Sequence, residues 1–132
     1  MTFLLDTNAC VAHLTGRSPK LVERVRSMKP AELETCTVVK AELLFGALKS
    51  DRRDENLKRV QRFLSPFECH PFDDGATEFY AQLRLQLERS GTPIGPNDLL
   101  IASIALSRGC TVITSNIREF ARMPELQVEV WE

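Results

Sequence analysis

A chain of 132 residues with 43% hydrophobic and 27% charged side chains has the proportions of one soluble globular domain, enough for a single filled core and too short for two. No apolar run approaches the ~20 residues of a membrane span and no basic, apolar leader opens the chain, so a cytoplasmic protein without a membrane partner is expected. The net charge of −1 does not announce a nucleic-acid binder, but residues 1–62 carry 12 Lys/Arg against 8 Asp/Glu and residues 63–132 carry 5 against 10, which permits a basic surface beside an acidic one.

The opening run Phe3-Leu4-Leu5 reads as a buried strand that stops on Asp6. Residues 7–16 follow as a helix ended by Gly16, and Ser18-Pro19 starts another, with Leu21, Val22, Val25 and Met28 on one face, stopped by Pro30. Leu33 to Thr37 is a short strand, and Thr37 can cap a helix from Val38 to about Ser50. After the polar break Asp51-Arg52-Arg53-Asp54, a helix runs to about Leu64 with Leu57, Val60, Phe63 and Leu64 inward. Phe67 to Phe72 is a third strand. Asp73-Asp74-Gly75 opens a long helix to about Arg89, whose expected buried stripe is Phe79, Leu83 and Leu87. The breaker-rich loop Ser90–Pro96 precedes a helix, Asn97 to Arg108, apolar on nearly every side and therefore central. Cys110 to Thr114 is a β-branched strand, a short helical turn lies around Arg118 to Arg122, and Leu126 to Val130 is an edge strand. Strands alternating with helices predict an α/β sandwich on a parallel sheet, residues 1–132 forming one domain.

In such a sheet helix N-termini and strand C-termini collect at one edge, where ligands bind. Four acids are predicted to reach that edge. Asp6 leaves the first strand, where it could equally cap the next helix. Glu42 sits in the second turn of its helix among Val38, Phe45 and Gly46, or pairs at the edge with Lys49. A mid-helix Gly46 costs about 1 kcal/mol relative to Ala, which suggests that something approaches the backbone there. Asp98 opens the central helix, where the helix dipole alone would favour it. Glu119 follows Thr114-Ser115-Asn116, and Asn116 with Glu119 also spells a capping box. Carboxylates drawn within ~4–6 Å raise one another's pKa, a conflict that a divalent cation resolves. All-oxygen ligands without His or Cys select Mg²⁺ or Mn²⁺.

Cys10, Cys36, Cys69 and Cys110 spell no C-x-x-C pair; all four are expected as reduced, buried, hydrophobe-like thiols. His13 and His70 are expected to be structural. Lys49 through Arg62 holds six basic residues in fourteen, among them Arg52, Arg53, Lys58 and Arg59; this is either an RNA-binding surface or a solvated helix face, since Asp51, Asp54 and Glu55 interleave.

The ordered set Leu5-Asp6-Thr7-Asn8, Glu42-Leu43-Leu44-Phe45-Gly46, Gly95-Pro96-Asn97-Asp98 before Ile101-Ala102, and Thr114-Ser115-Asn116 before Glu119-Phe120 resembles the PIN-domain ribonucleases, in particular the VapC toxins of bacterial type II toxin–antitoxin pairs. The resemblance implies a three-layer α/β/α sandwich on a mostly parallel five-stranded sheet. It implies Mg²⁺- or Mn²⁺-dependent cleavage of structured RNA such as tRNA by a metal-activated water. Asp6, Glu42 and Asp98 match the family's principal acids and would be both metal ligands and catalytic residues, with Glu119 as the fourth catalytic acid. Many relatives carry Asp where Asn116 stands, and a neutral amide there leaves the second metal in doubt. Thr7, Asn8, Thr114, Ser115 and Asn116 would orient the carboxylates. The implied partners are a VapB-type antitoxin, able to place a basic side chain among the acids, and a second copy in a homodimer. Val22, Val25 and Leu57 could line such interfaces or simply pack the core.

Two rival chemistries fit poorly: a phosphatase using Asp6 would want Asp where Asn8 stands, and a receiver domain would want a lysine beyond Lys58. A flap-type DNA nuclease on this scaffold would be larger and carry more acids. The non-enzymatic alternative is a catalytically weak RNA- or protein-interaction module on the same fold.

Overall fold

The computed structural model describes residues 1–132. Five short strands form one sheet: β1 (Phe3–Leu5), β2 (Leu33–Cys36), β3 (Glu68–His70), β4 (Thr111–Ile113) and β5 (Val128–Glu129). Their order is β3-β2-β1-β4-β5 and every pairing is parallel, with Phe3 opposite both Leu33 and Thr111. The expectation of a mostly parallel sheet becomes a wholly parallel one. β1 and β4 are buried at every position, as strands covered on both faces must be.

The helices are α1 (Thr7–Thr15), α2 (Pro19–Ser27), α3 (Thr37–Leu48), α4 (Arg53–Leu64), α5 (Asp74–Arg89), α6 (Pro96–Arg108) and α7 (Ile117–Phe120). Asp6, Ser18 and Asp73 cap α1, α2 and α5, each side chain accepting from the amide three residues on. Gly16 and Gly109 close α1 and α6 at φ 70° and 69°, a left-handed conformation that penalises any residue with a Cβ. The central helix is α6, whose Leu99, Ile101, Ala102, Ile104 and Ala105 are all buried.

Strand order positions the site. The chain moves outward from β1 to β2 and β3, then returns to the other side of β1 for β4 and β5. The reversal lies between β1 and β4, and there the connections diverge to leave a crevice beyond the strand ends. Asp6 and Thr114 are the first residues past those two strands.

Local expectations shift in four places. Thr37 is the first residue of α3 and Cys36 its cap, without a side-chain hydrogen bond. On α5 the buried residues are Ala76, Leu83 and Leu87, while Phe79 is exposed. Cys69 is exposed; the other three thiols are buried and all four are free. Val25 is buried and Leu57 packs against the core, so the exposed apolar residues are others, notably Phe45, Leu48 and Leu85.

Candidate active site

Asp6 leaves β1 with its amide donating to the Ile113 carbonyl at 3.0 Å, which ties the exits of β1 and β4 together. Its carboxylate accepts from the Ala9 amide at 2.8 Å, so it does cap α1, and it is only 2% exposed. Burial raises its pKa, the Thr114 hydroxyl and Ala9 amide work against the rise, and Glu132 and Glu42 add to it. Glu132 lies at the far end of the chain, and no local pattern singles it out as part of this field.

Glu42 projects from the second turn of α3 toward the start of α1, where the Thr7 hydroxyl donates to its Oε1 at 2.5 Å. Gly46, one turn further, has nothing within 4 Å of where a Cβ would stand. The expected close backbone approach is absent; the missing side chain leaves an open groove instead.

Asp98 stands in the first turn of α6. Burial first, then the hydrogen bond and charge of Glu119, with further repulsion from Asp6 and Glu42, push its pKa up to about 7. Glu119 is held low, first by the hydrogen bond from Asp98, so of the two acids Asp98 is the one that keeps its proton to higher pH. Asn116 sits between them: its Nδ2 donates to Glu119 Oε2 at 2.8 Å and to Asp98 Oδ2 at 3.4 Å. The Asn116 side chain does not cap α7, so the expected capping box is replaced by a bridge between carboxylates. The Asn116 amide in turn donates to Thr114 Oγ1 at 2.8 Å.

Asp6, Thr7, Asn8, Glu42, Asn97 and Asp98, with Gly95 and Pro96, line one cleft of about 280 Å³ that contains no hydrophobic side chain. Three acids from three separated segments thus meet at the strand-order reversal, and Glu119 joins them through Asp98. Ser115 is exposed beside them in sequence but does not line the cleft. Neither histidine does: His13 stacks on Phe63 at 4.9 Å between centroids, and His70 lies beside Glu34. Of the basic stretch, Arg59 reaches nearest, lining with Glu42, Gly46, Val11, Leu14 and Val60 a groove that shares Glu42 with the acidic cleft. Its guanidinium also donates to the Leu14 carbonyl near the end of α1.

The donor set fits a hard divalent cation. It is all oxygen, and burial together with the neighbouring carboxylates pushes the Asp98 pKa up to about 7, a penalty on the charged form that a bound dication would relieve.

Comparison with known proteins agrees with this geometry. A family model described as PIN domain matches residues 3–126. The chain is 37% identical over 131 residues to the tRNA(fMet)-specific endonuclease VapC of Salmonella typhimurium, covering 99% of this chain and 98% of that one. It is also 37% identical over 133 residues to ribonuclease VapC2 of Rickettsia felis, covering 100% and 99%. The chain belongs to the VapC family of PIN-domain proteins. The family's solved structures superpose closely. DNA-bound VapBC from Salmonella typhimurium matches with a TM-score of 0.93 at 36% identity, covering 100% of this chain and 99% of that one. VapBC2 from Rickettsia felis, bound to a DNA fragment from their promoter, matches with a TM-score of 0.90 at 34% identity over the whole of both chains.

Proposed function

We propose that this VapC-family chain is the ribonuclease toxin of a toxin–antitoxin pair, a Mg²⁺- or Mn²⁺-dependent endoribonuclease that cleaves structured RNA, with tRNA the leading substrate class. The observation that carries the reading is the convergence of Asp6, Glu42 and Asp98 on one predominantly polar cleft. The names of the Salmonella typhimurium and Rickettsia felis relatives support the activity and, for the first, the kind of RNA.

In this reading Asp6, Asp98 and Glu42 hold the cation. When bound there, the cation would supply Lewis-acid polarisation of the scissile phosphate and a lowered pKa for an attacking water. The chain's own residues supply the rest. Asp6 is rigid because α1 is built on it. Thr7 fixes one oxygen of Glu42, leaving the other to position the nucleophile. Asn116 and Glu119 aim Asp98, whose carboxyl would release its proton to solvent on taking up the cation, Glu119 being held in its charged form already. Thr114 holds Asp6 and the turn that carries Asn116, and Asn8 completes the polar lining. A VapB-type antitoxin would lay apolar residues along the groove between α1, α3 and α4 and place one basic side chain against Glu42. Phe45, 63% exposed on α3, suits an apolar contact with the antitoxin or a second copy of the chain in a homodimer.

The test is cleavage of a tRNA pool. Purified wild type should cut in Mn²⁺ and leave 5′-phosphate ends, and EDTA should abolish the cut. Activity persisting in EDTA would overturn the metal assignment, whereas identical behaviour of wild type and Asp6→Ala would favour an interaction module, the reading that neutral Asn116 keeps open.

The basic stretch gives a second prediction. Because Arg59 also holds the Leu14 carbonyl, its reversal would mix folding with binding. Arg52 and Lys58 are exposed, so Arg52→Glu with Lys58→Glu is the cleaner pair. It should weaken RNA binding about tenfold and flatten the log–log salt slope by ~1–2, with the melting temperature unchanged. Unchanged affinity removes the patch from the RNA path.

A further inference from the structure

We propose that Glu34, Glu68 and His70 form a second metal site, distinct from the acidic cleft and suited to a transition-metal dication such as Zn²⁺. Glu34 of β2 and Glu68 of β3 are direct partners in the parallel register, and His70 follows Glu68 by two residues on the same face. Glu34 and Glu68 therefore present their carboxylates on one face of the sheet edge, beside the His70 ring. One ligand atom from each of the three residues lies within 4.8 Å of the other two.

His70 points the same way. It is only 3% exposed, and its Nε2 is buried without a hydrogen-bond partner although Glu34 Oε1 lies 3.3 Å away. The nitrogen faces the Glu34 carboxylate alone, and a buried ring nitrogen without a well-made hydrogen bond is costly. A metal ion seated between nitrogen and carboxylates uses that lone pair. The other Glu34 oxygen, Oε2, already accepts from the Cys110 thiol, whose sulfur accepts in turn from the Thr2 hydroxyl at 3.4 Å. Glu34 is therefore held with Oε1 turned toward His70 Nε2, the arrangement that orients metal ligands elsewhere.

Tetrahedral Zn²⁺ with bonds of about 2.0–2.2 Å sets its ligand atoms roughly 3.3–3.5 Å apart. His70 and Glu34 already meet that spacing, and exposed Glu68 closes the remainder by changing rotamer. Imidazole with carboxylate favours Zn²⁺, whereas the all-oxygen cleft favours Mg²⁺ or Mn²⁺, so one chain carries two sites of different metal preference. The ion would clip β3, a three-residue edge strand, to β2.

The chain has only two histidines, so long-range ¹H–¹⁵N spectra of the full chain contain two imidazole systems, separable with His13→Gln. In excess Mg²⁺, one equivalent of Zn²⁺ should move the His70 Nε2 resonance, leave His13 in place and raise the melting temperature. Glu68→Gln should weaken Zn²⁺ binding at least tenfold without changing the metal-free melting temperature, and Asp98→Asn should retain the His70 response. A His70 signal that follows pH but ignores Zn²⁺ would identify a plain imidazolium–carboxylate pair and overturn the proposal. So would a Zn²⁺ response that Asp98→Asn abolishes and Glu68→Gln preserves. Neither result bears on whether the cleft cleaves RNA.

Discussion

Replacing Asp98 with Asn is expected to reduce RNA cleavage by about 10³-fold or more while making the metal-free protein more stable at pH 8. The loss would follow from removing a proposed cation ligand: metal assistance contributes several kcal/mol of charge stabilisation, and 1.36 kcal/mol is tenfold in rate. The gain follows from Asp98's own titration. Its pKa is raised to about 7 in the fold, against an ordinary value of 3.8. The folded state therefore holds a proton that the unfolded chain releases first, and stability falls as pH rises from about 4 to about 7, then levels. Asp98 is partly exposed to solvent and Glu119, held low, offsets part of the penalty, so the net effect is about 1–2 kcal/mol. Asn carries no such penalty, and its melting temperature at pH 8 in EDTA should exceed wild type by roughly 3–6 °C. Mn²⁺ at pH 8 should raise the melting temperature of wild type more than that of Asp98→Asn. A variant less stable than wild type at pH 8 in EDTA would show that the acids do not repel as described.

Thr7→Val should lower cleavage about 10–100-fold with the fold intact. Val keeps the shape of Thr but removes the hydroxyl that donates to Glu42 Oε1 at 2.5 Å. Glu42 is then free to rotate away from the cleft, and groups that orient metal-binding side chains typically matter by this factor in affinity or activity. Thr7 is half-buried, so removing its hydroxyl strands no fully enclosed polar atom, and the melting temperature should move by less than about 1 kcal/mol equivalent. Raising Mn²⁺ should recover part of the rate. Wild-type activity in Thr7→Val would mean that Glu42 needs no holding.

Much of this site could be read before any coordinates. An apolar strand ending on Asp6, a breaker loop followed by a central helix opening on Asp98, and a β-branched strand leading into Ser115-Asn116 are local patterns, and parallel topology gathers their ends. Partners distant in sequence were not readable. Asn116 and Glu119 show the spacing of a capping box, and nothing nearby says that Asp98 diverts Asn116 from that role. Gly46 announces a missing side chain without saying whether the space is filled. On α5, residues at 79, 83 and 87 drift round the helix by about 40° per step, so the row that buries Leu83 and Leu87 leaves Phe79 at the surface. The Glu34, Glu68 and His70 group depends on strand register, which short strands do not spell.

Asp6 serves two masters: the carboxylate that faces the cleft also caps α1. Silencing the protein by Asp6→Ala therefore loosens the helix at a cost of about 1 kcal/mol, while Asp98→Asn relieves a repulsion. Cells surviving production of the unrestrained protein should accordingly yield stable, full-length escape mutants more often at codon 98 than at codon 6. Loss of the Asp6 carboxylate by Ala would thus be the dearer of the two escapes, because the helix start goes with it.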